Sequence, residues 1–184
     1  MATPNLNIAR TASARASAGR FATKAPYVWA VSRIVLGFIF LWAFLDKTFG
    51  LGYSTPAARA WVNGGSPTNG FLANTKGWFA GAFQAIAGHP VTDTLFMVGL
   101  LGIGLALLLG IGMRVAAASG ATMMVLMYLA SLPGVPGTTN PVVDDHVVYA
   151  LVLVGLAMAK AGETLGFGKA WSRLALVKRY PALE

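Results

Sequence analysis

The sequence predicts an all-α membrane protein: an up-down-up-down bundle of four transmembrane helices, with a long outer loop that carries short interfacial helices. Two observations carry this prediction. Of the 184 residues, 56% are hydrophobic and only 11% are charged, far below the roughly 25% charged residues of an average soluble domain. Four apolar stretches lie at residues 27–45, 94–113, 115–132 and 141–159. Each is close to the about 20 residues that a helix needs to cross the hydrocarbon core of a bilayer.

The flanking segments are basic, and they set the predicted orientation. Residues 1–26 are rich in Ala, Ser, Thr and Arg and contain no acid, so we expect a disordered basic tail there and a second basic tail at residues 161–184. Ten of the 14 basic residues lie on the side of the termini and only three on the other. The positive-inside rule therefore places both termini in the cytoplasm, with residues 27–160 crossing the plasma membrane several times. Anionic membrane lipids as partners explain the net charge of +8 without nucleic acid.

The loop at residues 49–93 is the largest region between the predicted spans. Its run GGSPTNG at 64–70 favours turns and has no helical period. The segments at 55–62 and 76–87 place aromatic side chains among small residues, which is typical of short helices in the membrane interface, with the aromatic side facing inward. We expect the loop to form a lid over the outer end of the bundle; a substrate gate built on the same lid is the alternative.

Small residues predict close packing of the helices. Gly102, Ala106 and Gly110 recur every four residues, as do Ala116 and Gly120. In lipid, where burial of apolar surface no longer drives association, such spacing lets helix backbones approach closely. The turn between the second and third spans is so short that these spans must form an antiparallel hairpin.

Two basic residues lie in the first span or at its outer end. Arg33 lies inside it, where a charge facing lipid would cost several kcal/mol. We therefore expect protein, a lipid headgroup or a ligand around Arg33, with snorkelling to the interface as the alternative. A seven-residue spacing puts Lys47 on nearly the same helix face, near the other membrane surface.

The fourth stretch supplies the main candidate site. Only 13 uncharged residues follow His146 before the next charge, which is about 20 Å of helix and too little to cross the core. Asp145 and His146 should therefore enter the outer edge of the membrane, where an ionisable pair indicates function. Tyr149 lies one turn further along the same face. Asp46 and Lys47 reach the same height from the first span.

These residues suit proton transfer to or from a quinone. Asp145 is expected to orient and charge His146, because histidine side chains in general titrate near neutrality and can relay protons. Tyr149, Lys47 or Arg33 would donate a hydrogen bond to the quinone. The predicted catalytic set is His146, Asp145, Lys47 and Asp46.

A purely structural interpretation of the same residues stays open. In it, Asp144 caps the fourth helix and Asp145 pairs with Lys47. We predict no metal site, because adjacent residues on a helix point about 100° apart and rarely chelate one ion. The chain has no Cys and two His, which excludes an iron–sulfur cluster, CxxCH haem attachment and a pair of bis-histidine haems on this chain alone.

Four segments carry a family resemblance: RIVLGFIFLWAFLDKTFGLGY at 33–53, GGSPTNGFL at 64–72, LLGIGLALLLGIGMRVAAASG at 100–120 and NPVVDDHVVYALVLVGLA at 140–157. They resemble the DoxX family, in particular actinobacterial members called the large subunit of thiosulfate dehydrogenase (quinone), or DoxD. The resemblance covers roughly residues 27–165. It implies a four-span subunit of a membrane oxidoreductase complex that in some cases passes electrons from thiosulfate to quinone, yielding tetrathionate, with a separate small partner subunit. By motif position it marks a polar signature of Arg33, Asp46, Lys47, Asp145 and His146.

Three functions are compatible with these observations. The first is a membrane subunit of a quinone-linked oxidoreductase complex of the respiratory chain. The second is a non-catalytic anchor or scaffold of a respiratory or redox-protection complex. The third, a transporter or small channel, is disfavoured because no predicted span is broken and no polar stripe crosses the bilayer. The outer mouth of the predicted bundle carries four acids against three basic residues, so a thiosulfate dianion is expected to react on a partner subunit.

Overall fold

The computed structural model describes residues 6–131, 140 and 142–184, with side chains from residue 24 onward. Its α-helices are, in chain order, α1 (Leu6–Phe49), α2 (Asn69–Leu72), α3 (Ala80–Ala85), α4 (Pro90–Leu109), α5 (Met113–Ser131), α6 (Asp145–Met158), α7 (Gly168–Trp171) and α8 (Ala175–Arg179). No strand occurs within these ranges, so the predicted all-α class is confirmed.

Three of these helices are long and apolar enough to cross a membrane: the part of α1 at Lys24–Phe49, α4 and α5. The helix α6 is apolar but has only 14 residues, so it is shorter than the stretch predicted at 141–159. It is shorter because Asp144 caps its N-terminus with an extended backbone, and the residues before the cap leave the helix. Residues 132–139 and 141, which include the start of that predicted stretch, lie outside the described residues.

Contacts between helix ends show that neighbouring long helices run antiparallel. Arg33, early in the apolar part of α1, bonds to the last residues of α4 and to the segment after α6. Ser131, at the end of α5, donates a 3.1 Å hydrogen bond to Asp144, just before α6. We call the two ends of the bundle the Arg33 end and the Asp46 end. Between them lies a core that includes Leu36, Phe40, Met97, Leu100, Leu107, Met124, Leu153 and Leu156.

Glycines allow close approach at two of the helix contacts. A methyl group at Gly104 would lie 2.8 Å from the backbone nitrogen of Leu41 in α1, and one at Gly120 would lie 2.8 Å from the Leu153 side chain in α6. The packing role predicted for Gly120 is therefore confirmed. The role predicted for Gly102 is wrong: no described atom of another helix lies within 4 Å of where its side chain would be, because this face of α4 borders an open groove beside α5.

The connection between α1 and α4 contains the predicted short helices. Two 3-10 turns, Ala57–Arg59 and Trp61–Asn63, precede α2 and α3. Trp61 packs against the bundle core, so this part of the connection covers the Asp46 end. Trp78 is 94% exposed, so it does not pack against the described part of the bundle, and the predicted position of its segment in the membrane interface stays a prediction.

The two flanking segments differ from the predicted tails. The helix α1 begins at Leu6, so residues 6–26 continue the first helix; alanine and arginine, frequent in this segment, have high helix propensities. Residues 161–184, which we call the collar, fold against the Arg33 end. The collar contains α7 and α8, buries Val177, and donates a 2.8 Å hydrogen bond from the Phe167 N–H to the Leu109 carbonyl.

Candidate functional site

Arg33 is fully buried, and its guanidinium bonds to backbone carbonyls. Its N–H groups donate to the carbonyl oxygens of Leu107, Leu108, Ala161, Thr164 and Leu165. A guanidinium has five N–H donors, so all of them are engaged. The last carbonyls of a helix lack partners within it and carry the negative end of its dipole. Arg33 therefore caps α4, ties the collar to it, and keeps no donor for a quinone.

Glycines let the collar backbone reach this guanidinium. A methyl group at Gly162 would collide with the carbonyl oxygen of Gly110, and one at Gly166 would lie 2.9 Å from Nη2 of Arg33. Gly110 itself has a φ of +71°, which residues with a side chain rarely adopt. Gly110, to which the sequence analysis assigned a role in helix packing, thus ends α4 and leaves space for the collar backbone.

Asp46 holds the turn that follows α1. Its buried carboxylate accepts hydrogen bonds from the backbone N–H groups of Tyr53 at 3.1 Å and Ser54 at 3.0 Å, and from the Ser54 hydroxyl at 2.6 Å. Hydrogen bonds to an ionised acceptor are stronger than neutral ones. A local structural role, which anchors the start of the lid to α1, therefore accounts for this residue.

Asp93 anchors the next part of the lid to α4 through hydrogen bonds to its carboxylate. Its Oδ1 atom accepts from the Ser66 hydroxyl at 3.0 Å, the Thr68 backbone N–H at 3.0 Å and the Thr68 hydroxyl at 2.6 Å. Asp93 lies in the first turn of α4, where the helix dipole favours a negative charge. Sequence reasoning missed this contact, although both partners belong to the turn-forming run at 64–70.

Asp144 and His146 form an imidazole–carboxylate pair at the start of α6. Oδ2 of Asp144 lies 2.8 Å from Nδ1 of His146 and 3.1 Å from the Ser131 hydroxyl. Oδ1 accepts the backbone N–H groups of His146 and Val147 and so caps the helix. The predicted partner, Asp145, is more distant: its Oδ1 lies 3.6 Å from Nδ1, and its side chain is 68% exposed. Asp144 is closer because an N-cap side chain folds back over the first turn.

The charge of this pair follows from its contacts. Burial raises the pKa of Asp144, but the hydrogen bond and charge of His146 and the bond from Ser131 outweigh burial, so the net pKa lies below its ordinary value. The ionised carboxylate favours the tautomer in which Nδ1 of His146 carries its proton. This leaves Nε2 to exchange a proton with a ligand. The His146 side chain is 17% exposed, so a ligand can reach it.

Lys47 and Tyr149 lie at the Asp46 end and are both half-buried. Tyr149 packs against the core one turn beyond His146. Lys47 occupies the last turn of α1. No carboxylate within the described ranges lies within 4.0 Å of its ammonium, so the structural pair with Asp145 does not form there.

The predicted site residues are divided between the two ends of the bundle. Asp46, Lys47, Asp145, His146 and Tyr149 belong to the Asp46 end, and Asp145 and His146 are brought together there. Arg33 lies at the other end, beside Ala161. The helix α6 separates the two, and its 14 residues span about 21 Å. One quinone headgroup cannot contact both Arg33 and His146.

Asp144, Asp145 and His146 each offer one atom that could bind a metal, and the three atoms lie within 4.8 Å of one another. Both oxygens of Asp144 already accept hydrogen bonds that cap α6 or orient His146. Clusters of exposed acids are common without an ion. The absence of a metal ligand set stays a prediction.

The fold and the site define an all-helical protein with helices of membrane-spanning length, a collar at one end and an imidazole–carboxylate pair at the other. Comparisons with known protein families, curated proteins and solved structures give no match. The resemblance to the DoxX family therefore rests on the residues of the sequence alone.

Proposed function

We propose that the chain is a multi-pass plasma-membrane protein with four spans and cytoplasmic termini, similar to the DoxX family, and that it is the membrane subunit of a quinone-linked oxidoreductase complex. Three helices of membrane-spanning length and one shorter apolar helix support the membrane location. The short α6 would span with local thinning of the bilayer and snorkelling of Lys160 just after it. The excess of basic residues on the side of the termini supports the orientation.

The pairing of Asp144 with His146 is the observation that carries the redox part of the proposal. The carboxylate lies 2.8 Å from Nδ1, so it orients the imidazole and leaves Nε2 for the ligand. Reduction of a quinone to a quinol takes up two electrons and two protons. His146, when it carries a proton on Nε2, would give that proton to one quinone oxygen, and water would supply the second proton to the other oxygen. Lys47 and Tyr149, half-buried at the same end, would donate hydrogen bonds to the quinone.

The electrons would come from a partner subunit. This chain has no cysteine and so cannot hold an iron–sulfur cluster through thiolates. The family resemblance suggests thiosulfate as the donor: two thiosulfate ions form tetrathionate and release two electrons. Asp46, Asp93 and Asp144 place three carboxylates at the Asp46 end, and these repel a dianion. We therefore assign thiosulfate oxidation to the partner.

Quinone binding by the purified full-length protein tests the proposal. In nanodiscs, the wild type should bind decylubiquinone in isothermal titration calorimetry, and His146→Ala should weaken binding at least about tenfold, about 1.4 kcal/mol. Asp144→Asn should also weaken binding, although asparagine keeps the N-cap. The control, Asp145→Asn, changes an exposed side chain and should bind like the wild type. Unchanged binding by a folded His146→Ala protein would overturn the site.

A second candidate is a non-catalytic anchor or scaffold for a redox complex. Arg33 and Asp46 favour the scaffold. Both belong to the predicted polar signature, and both are engaged in hydrogen bonds to backbone groups of this chain. Affinity purification from native membranes distinguishes the two functions. The same partners recovered with wild-type protein and with His146→Ala, together with no quinone binding by either, would favour the scaffold.

A further inference from the structure

We propose that the collar is a membrane-surface element that binds anionic phospholipid headgroups and inserts apolar side chains between them. The proposal rests on the membrane location given above and not on quinone chemistry.

The collar is held at a fixed level of the bundle. Arg33 bonds to three of its carbonyls, and the Phe167 N–H bonds to the carbonyl of Leu109, the last residue of α4, at 2.8 Å. Within the collar, Nε1 of Trp171 donates to the Leu183 carbonyl at 2.6 Å. Because α4 ends and α5 begins beside these contacts, the collar lies where the candidate spans leave the bilayer.

The collar exposes large apolar side chains. Between 48% and 63% of the surface is exposed for Leu165, Phe167, Leu174, Leu176 and Tyr180. Val177, by contrast, is buried. An apolar surface of this kind marks an interaction site. Beside the ends of membrane helices, the boundary between headgroups and acyl chains is the partner that fits.

Basic residues alternate with these apolar side chains. The four exposed basic residues of the collar are Lys169, Arg173, Lys178 and Arg179. The last of them lies against an apolar neighbour, with the guanidinium carbon of Arg179 5.6 Å from the centre of the Tyr180 ring. Such interleaving of cations and apolar groups is typical of segments that lie in an anionic membrane surface.

The two acidic side chains of the collar pair with basic residues outside it. Glu184 pairs with Arg114 at 3.0 Å, and Glu163 lies 4.0 Å from Lys160. Neither carboxylate therefore neutralises the four collar cations, and no other ion pair involves them within the part of the chain that the structure describes. This surplus of positive charge selects an anionic headgroup over a zwitterionic one.

Native mass spectrometry of the full-length protein measures this preference. With phosphatidylglycerol and phosphatidylcholine at equal concentration, we expect the wild type to retain phosphatidylglycerol. A cation near an anionic surface strengthens binding by about fivefold, so the double variant Lys178→Gln, Arg179→Gln should bind phosphatidylglycerol about twenty-five-fold more weakly. The matched control, Arg59→Gln with Lys76→Gln, removes the same two residue types from the lid and should keep the preference.

Side-chain insertion is tested independently. Because the chain has no cysteine, Leu176→Cys carries a single fluorophore, which spin-labelled phosphatidylglycerol in proteoliposomes should quench. Quenching should fall in the Lys178→Gln, Arg179→Gln background. Equal lipid loss in the two double variants, absence of quenching, or a second copy of the chain on the collar in place of lipid would overturn the proposal. Each of these results leaves the quinone measurement at His146 untouched.

Discussion

Replacing Arg33 with methionine should detach the collar from the bundle. Methionine keeps an apolar side chain of similar reach but has none of the five N–H donors. Five carbonyls lose a hydrogen bond together, two at the end of α4 and three in the collar. Two of the lost bonds, those to Leu107 and Ala161, are buried, where water has least access.

The magnitude follows from these two buried carbonyls. The Leu107 carbonyl keeps the hydrogen bond from the Gly110 N–H at 3.2 Å, so only the Ala161 carbonyl is left without a partner, which costs about 1–3 kcal/mol of the free energy of unfolding. The three partly buried carbonyls can bond to water and add little. Loss of the second bond at Leu107 adds to this cost, but removing the buried charge also removes its desolvation cost, so we expect about 1–3 kcal/mol. Arg33→Lys should be intermediate, because an ammonium has three donors on one atom and cannot reach five acceptors.

Thermal unfolding and hydrogen–deuterium exchange of the purified protein check this prediction. Arg33→Met should melt earlier, and backbone amides across residues 161–168 should exchange faster. Arg114→Met is the control, because Arg114 bonds to the Pro181 carbonyl and to Glu184 at a largely exposed site, where an ion pair contributes about 0–1 kcal/mol. An Arg33→Met protein that melts like the wild type with a protected collar would refute the reasoning.

The remaining predictions concern glycines and acids, and melting temperatures test all of them. Gly162→Ala should melt several degrees earlier because a methyl group would collide with the Gly110 carbonyl. Gly102→Ala should be neutral or stabilising, since no described atom of another helix is within 4 Å of the added methyl group and alanine favours helix. A lower melting temperature for Gly102→Ala than for Gly162→Ala would contradict the packing described for these two glycines. The pKa of Asp144 is lowered in the folded protein, so its stabilisation is complete above the unfolded pKa of about 3.9 and is lost as pH falls through the folded value. The wild type should therefore lose more stability below about pH 4 than Asp144→Asn does; parallel pH curves would contradict this. Asp46→Asn should cost about 1–3 kcal/mol, because its amide turns an acceptor into a donor that faces a backbone N–H.

The long helices were predictable because their apolar runs have the length of a bilayer span. The hydrogen bonds between Arg33 and backbone carbonyls were not predictable. The sequence indicates that a buried arginine needs partners, but these are carbonyls between 74 and 132 residues away. Every residue has a carbonyl, so no side-chain pattern marks those that bond to it. For the same reason, the basic segment at 161–184 reads as a tail although it folds.

The candidate site was predictable in part. The sequence places an acid beside His146, but two consecutive acids precede it, and the choice between them depends on where α6 begins. Helix periodicity leaves that boundary uncertain by one or two residues. Here Asp144 is the N-cap and turns back to the ring, while Asp145 points outward. The hydrogen bonds of Asp46 could not be predicted either, because its partners in the lid follow no periodic pattern.

The order in which the chain is synthesised constrains how Arg33 can be accommodated. The nearest carbonyl acceptor emerges from the ribosome 74 residues after this arginine and the farthest 132 residues after it. When α1 first enters the insertion machinery, its cation has none of these neighbours and has to keep water or lipid phosphate around it. A nascent chain interrupted before Leu165 would lack part of this set. Biogenesis of the protein is thus predicted to end with a late, post-insertion step in which the arginine exchanges water for peptide oxygens.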